Sequence, residues 1–182
     1  MSFFDAGRPR ALAALCLLAG GLALSGCTGR PLYAGGLTAD VMAPDGQLVS
    51  LRGRIAVSEA GNRTIQIVRN ALLFRLNQGT RVSEPLYTVA LSGSGSEIGI
   101  AVEPGGQAAA SLYYMSASYT LTRNSDGTVL ATGTRTETVP FDRTGQLYQS
   151  QRAVIDARDR AGKAVAGQIE LEIARALTKA GV

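Results

Sequence analysis

Residues 111–123 read Ser-Leu-Tyr-Tyr-Met-Ser-Ala-Ser-Tyr-Thr-Leu-Thr-Arg, the clearest alternation in the chain. Tyr113, Met115, Ala117, Tyr119 and Leu121 fall on one side, and Ser116, Ser118, Thr120 and Thr122 on the other. A period of two residues is the signature of a strand with one buried face, because successive side chains leave a pleated backbone in opposite directions. The stretch ends at Asn124-Ser125-Asp126-Gly127, a hairpin turn in which Gly127 supplies positive φ. Thr128 to Val139 then returns as the next strand, with Thr132, Thr134, Thr136 and Thr138 alternating with Arg135 and Glu137. Both faces of this returning strand are polar. Pro140 is expected to end the sheet.

Working toward the N-terminus, Tyr87, Val89 and Leu91 alternate with Thr88, Ala90 and Ser92, and Ile98, Ile100 and Val102 resume the pattern beyond Gly93-Ser94-Gly95-Ser96. A phosphate-cradling loop is rejected for this Gly/Ser stretch, since its lysine is absent and no helix follows. A bulge or bend within one long strand is expected instead. Glu103-Pro104-Gly105-Gly106 closes the turn to the next strand. Earlier still, Leu51, Ile55 and Val57 mark a short strand reaching about Ser58.

Two segments have helical period. Asn62 caps the first and Gly79 stops it, with Ile65, Val68, Leu72 and Leu76 on one stripe widened by Ala71 and Phe74. Arg63, Arg69 and Arg75 are left for its outer side. The expectation is a helix packed on its own sheet, over one turned toward a partner. The second helix runs from about Gln149 to Lys179 with Val154, Ala157, Ala161, Val165, Ile169, Ile173 and Leu177 spaced by three or four. Gly162 and Gly167 inside it each cost about 1 kcal/mol relative to Ala, which points to a close neighbour, expected to be the domain's own sheet. The order β-α-β-β-β-α predicts an α+β fold: a two-layer sandwich in which two helices cover one face of a mostly antiparallel four-stranded sheet. The other sheet face, rich in Thr, is left over as a contact surface for a large partner or an amphiphile.

At the N-terminus, Arg8 and Arg10 precede an apolar run from Ala11 to Leu24, and Leu24-Ser25-Gly26-Cys27 reads as a lipobox. Fourteen residues at about 1.5 Å each reach about 21 Å, short of a hydrocarbon core of about 30 Å, so a secretory signal is favoured over a membrane span. Residues 1–26 are then the lipoprotein signal peptide, 27–46 the lipidated N-terminus and tether, and 47–182 one α+β domain. Cleavage before Cys27 leaves 156 residues carrying 16 cations and 13 acids, for a charge of +3. The covalent diacylglycerol and N-acyl chain on Cys27 are the only non-protein groups expected, with no separate cofactor.

Composition excludes several classes. Cys16 leaves with the signal and Cys27 becomes a thioether, so no thiol remains for disulfides or catalysis. The chain has no His, which removes the commonest general base and metal ligand. Glu97, Glu103, Asp126 and Asp142 are the carboxylates an acid–base enzyme would have to use, and all sit at predicted turns or ends. No enzyme, no metal site and no nucleic-acid partner are expected. Lys163 and Lys179 are the only lysines; an Arg-rich surface holds phosphate and carboxylate in a planar fork.

The lipobox, Pro31-Leu32-Tyr33 soon after Cys27, the strand and helix order, and Gln151-Arg152-Ala153 through Asp156-Ala157-Arg158 to Ile169 and Leu177 together resemble the LPS-assembly lipoprotein LptE family in its alphaproteobacterial form. Cys27-Thr28-Gly29-Arg30 departs from that family's usual Gly and aromatic after the cysteine. The resemblance implies an outer-membrane lipoprotein on the periplasmic face, acting as plug and chaperone of an LptD-like β-barrel in a heterodimer and assisting insertion of lipopolysaccharide in the outer leaflet. It also implies affinity for lipopolysaccharide, for which Arg123 and Arg135, flanking the hairpin, are the candidates, with Arg81 and Arg143 at other element ends. The alternative is a generic periplasm-facing lipoprotein that binds a small lipophile or scaffolds another envelope complex.

Overall fold

The computed structural model describes residues 50–102, 108–143 and 145–181. Cys27, the signal, the tether and the Glu103 turn lie outside these residues. The elements run β1 (Ile55–Val57), α1 (Arg63–Asn77), β2 (Tyr87–Val102), β3 (Ala108–Arg123), β4 (Val129–Asp142) and α2 (Leu147–Lys179). The sheet order is β1-β2-β3-β4, with β1 parallel to β2 and the other pairs antiparallel. The single parallel pair follows from α1, which crosses over between β1 and β2 and returns the chain in the same direction. This is the α+β sandwich the alternation implies.

The strand expected from Leu51 starts only at Ile55. Gly53 has φ 75° and a turn closes there, Arg54 N–H bonding the Leu51 carbonyl at 2.9 Å. A Cβ at Gly53 would lie 2.9 Å from Thr80 Cγ2 and 3.0 Å from the Arg81 carbonyl, so this turn accepts no larger residue. At the other end of β1, Leu91 N–H donates to Ser58 Oγ at 3.0 Å, and the chain leaves the sheet.

Asn77 closes the outer edge of β1. Its buried amide accepts from Gly53 N–H and donates to the Ile55 carbonyl, both at 2.9 Å, doing what a neighbouring strand would do. Asn77→Leu keeps the volume but leaves both backbone groups without partners. The expected loss is about 2–5 kcal/mol of unfolding free energy, read as a lower urea midpoint. A midpoint within error of the wild type would show that water replaces the amide.

Asn62 caps α1 as expected, its side chain accepting from Ile65 N–H at 2.9 Å. Ile65, Val68, Leu72 and Leu76 are buried. Three details differ. Phe74 is 65% exposed and does not widen the stripe. Gln78 as well as Gly79 takes positive φ at the helix end. Of the three arginines left for the outer side, Arg69 donates to the Ser58 carbonyl at 2.7 Å and Arg75 pairs with the buried Glu170 of α2 at 3.0 Å. Long guanidinium stems let a residue at the stripe's margin reach back into the domain.

α2 buries the whole expected series from Ala157 to Leu177. The close neighbour of Gly162 is chiefly α1: a Cβ there would stand 2.6 Å from Ile67 Cγ2. Gly167 faces the Arg75 guanidinium. Sheet expectations also shift. β4 continues past Pro140 to Asp142, because on an edge strand a missing N–H directed outward removes no ladder bond. β2 is one strand, but Gly93–Ser96 stay in register with Ala117, Ser116, Met115 and Tyr114, and the irregularity falls instead between Gly99 and Val102.

Candidate functional site

The sheet has two unlike faces. The inner one carries Val89, Leu91, Tyr113, Met115, Ala117, Tyr119, Leu121, Val139 and Phe141 under the helices. Charged residues from the middle of the strands are on this covered side too. Arg135 pairs with Glu172 of α2 at 3.1 Å, Gln168 donates to Glu137 at 3.0 Å, and Arg143 pairs with Glu97. The Tyr119 phenol feels the Arg135–Glu172 pair: its pKa is pushed up by burial and by the Glu172 charge, against the opposing pull of Arg135. The outer face carries hydroxyls: Ser118 and Thr134 share a hydrogen bond of 2.8 Å across β3 and β4, and Thr132 bonds the Tyr119 carbonyl at 3.1 Å.

Two glycines explain the Gly/Ser stretch without any ligand. Gly95 lies against the ring of Tyr113, and a Cβ there would come 2.2 Å from the phenol oxygen. Gly93 lies against β3 and the first turn of α1, where Asn62 Nδ2 donates to its carbonyl at 3.0 Å. A small residue at each position lets a large neighbour close over the sheet.

The hairpin arginines are not brought together. Arg123 pairs in register with Tyr87, whereas Arg135 stands opposite Ala117, six residues back along β3. At about 3.3 Å per residue the two are about 20 Å apart along the strand. Arg123 contacts Asp126 at 3.1 Å within the turn. The Asp126 carboxyl is held below the usual range chiefly by the Thr128 backbone N–H it accepts at 3.0 Å. Arg81 is exposed. Of the four carboxylates, Glu97 and Asp126 are ion-paired, Asp142 is exposed at the end of β4, and Glu103 is outside the described residues. Among the described residues no three His, Cys, Asp or Glu side chains are grouped to hold a metal ion.

What the sequence reading passed over is a groove at the opposite end from the hairpin. It has a volume of about 320 Å³ and is lined by Glu97, Arg143, Leu147, Gln151, Val154 and Arg158, among others. Arg158 donates to the Tyr113 hydroxyl at 3.2 Å and stacks 5.6 Å from its ring centroid. Arg143 lies 5.6 Å over Phe141, and Arg152 lies 5.6 Å over Tyr148. Leu147 and Tyr148 beside it are exposed by 74% and 69%. The signal was present: Tyr148 and Arg152 are four apart, one turn of helix, and Leu147 lies off the buried stripe. A second groove, of about 480 Å³, separates α1 from β1 and the segment after it, with Arg69, Leu73 and Phe74 on its wall.

A two-layer sheet-and-helix domain with this strand order defines a class, and solved structures share it. A protein from Caulobacter crescentus CB15 assigned as a lipoprotein is similar at a TM-score of 0.62 and 23% identity, over 73% of this chain and 96% of its own. Rare lipoprotein B from Shewanella oneidensis is similar at a TM-score of 0.53 and 12% identity, over 70% of this chain and 97% of its own. The chain thus shares its fold with these two lipoproteins. No protein-family model matches it, and no curated protein matches it significantly.

Proposed function

We propose that the chain is an outer-membrane lipoprotein of lipopolysaccharide assembly, anchored through Cys27 on the periplasmic side and seated as plug and chaperone in an LptD-like β-barrel. The observation that carries this reading is the likeness to nearly the whole of rare lipoprotein B, in a chain that also has a lipobox. The role is one of fitting and delivery, without catalysis: the domain offers a two-layer sandwich with a sheet face that no described residue covers, and large barrels enclose polar lumens that such a domain can fill. Depletion of the protein tests it. Lipopolysaccharide then fails to reach the cell surface and the barrel loses its native assembly; normal surface display after depletion would refute the reading.

Affinity for lipopolysaccharide rests on Arg chemistry. Arg123 and Arg135, about 20 Å apart along the strand, would each have to exchange an ion pair, with Asp126 and with Glu172, for a phosphate, and so act as separate contacts and not as one clamp. Reversing either charge is expected to weaken lipopolysaccharide binding roughly tenfold, in line with one charge-assisted hydrogen bond. Undiminished binding by the double variant Arg123→Glu/Arg135→Glu would remove both residues. A second reading, a carrier of a small lipophile, is favoured by the groove beside Leu147 and Arg158, where apolar walls meet guanidinium groups. Copurification in mild detergent separates the two, since only the first requires a large barrel in equal amount.

A further inference from the structure

Apart from Asp142 at the end of β4, the described outer sheet face is free of charge. From Thr88 to Ile98 on β2, Leu112 to Thr122 on β3 and Leu130 to Pro140 on β4, the outward positions carry no Asp, Glu, Lys or Arg. Solvated sheet faces of soluble domains ordinarily carry charges of both signs. Here the charges in the middle of the strands, Glu97, Arg135 and Glu137, are turned to the helix side and tied there, leaving Arg123 and Asp142 at strand ends. Among the described residues nothing covers the outer side: Ser94, Ser118, Thr132, Thr134 and Thr136 are exposed. Its large side chains gather at one end, where Ile98 and Tyr114 are 48% and 38% exposed.

We infer that this uncharged hydroxyl face of β2–β4 is the surface that docks on the polar inner wall of the barrel, with Tyr114 as its apolar anchor. The inference rests on the barrel reading above and assigns the face that reading leaves open. Charge complementarity selects the occupant: a face with no ionic group offers nothing to a charged partner, whereas Ser and Thr hydroxyls both donate and accept toward uncharged polar groups. Barrel lumens are lined by polar side chains. Size agrees as well. Three strands about 4.8 Å apart and eleven residues long give a patch about 14 by 37 Å, of the order of the ~800 Å² each partner contributes to a specific interface once side-chain relief is counted. Anchoring by one aromatic among near-neutral contacts is the usual anatomy of such a surface.

The test uses the full lipidated chain, affinity-purified from cells in mild detergent, with the barrel identified by mass spectrometry. The variant Ser118→Arg/Thr134→Arg puts charge at the centre of the face, at exposed positions; since it removes their 2.8 Å hydrogen bond and sets like charges opposite, its thermal midpoint is measured alongside. Thr136→Arg is the substitute should that pair fail to fold. Arg160→Glu/Leu171→Arg alters the exposed side of α2 to the same extent. The expected result is a barrel retained by the wild type and the α2 variant and lost by the sheet variant. Retention by the folded sheet variant would overturn the inference and leave the barrel reading standing. A wild type that brings down no barrel would overturn both, and a wild type that pairs with a second copy through this face would overturn the assigned occupant.

Discussion

Gly93→Ala is expected to destabilise the domain by about 3–5 kcal/mol, a large part of the 5–15 kcal/mol that holds a domain folded. A Cβ at position 93 would lie 2.2 Å from the Ser116 carbonyl oxygen, 2.8 Å from Ala117 Cα and 2.9 Å from Ile65 Cδ1. The first two are backbone atoms of the paired strand, which cannot rotate aside. Relief requires β2 to part from β3, or α1 to lift and release the bond from Asn62 to the Gly93 carbonyl. The backbone at φ 155° adds to the strain, since a side chain rarely adopts it. Gly127→Ala is the control: φ is 71° there but the space is open, so only the conformational penalty of about 1 kcal/mol applies. Urea midpoints of the two variants decide the matter. Equal losses would mean that the close approach of β2, β3 and α1 is absent in solution.

If Cys27 is the proposed anchor, Cys27→Ser is expected to remove the protein from the membrane fraction altogether. A serine cannot carry the thioether, and with it go the acyl chains, which contribute about 0.8 kcal/mol for each methylene buried in the bilayer. Two or more such chains make attachment stable, while none of the helices described here is long and apolar enough to cross a membrane. The domain itself should be untouched, since among the described residues its core begins at Leu51, well after position 27. The measurement is fractionation together with mass spectrometry of the N-terminal peptide. An unchanged membrane location with no lipid-derived mass at position 27 would refute the anchor.

These two experiments probe different levels of legibility. Most elements could be read directly, because period and punctuation are local: the 111–123 alternation, the Asn62 cap, the Gly127 turn and the Ala157–Leu177 stripe all stand where expected. The candidate site was less legible. Arg123 and Arg135 are neighbours across a hairpin in sequence, yet the register sets one of them opposite Ala117 and against α2. The groove at the far end draws Glu97, Arg143 and Arg158 from three elements, and no local pattern joins them.

By itself the sequence determined which side of each strand and helix is apolar, where turns fall, and that an acylation motif precedes a domain without His or a retained thiol. Those are consequences of chain geometry and composition. Only the tertiary structure decided what stands opposite each face: Tyr113 over Gly95, Ile67 against Gly162, Asn77 filling the place of a strand beside β1, and guanidinium groups of Arg75 and Arg135 turned inward to Glu170 and Glu172. The physical reason is that periodicity fixes a direction but not a neighbour. Neighbours are set by register between strands and by the crossing of two helices, which depend on contacts between residues far apart in the chain.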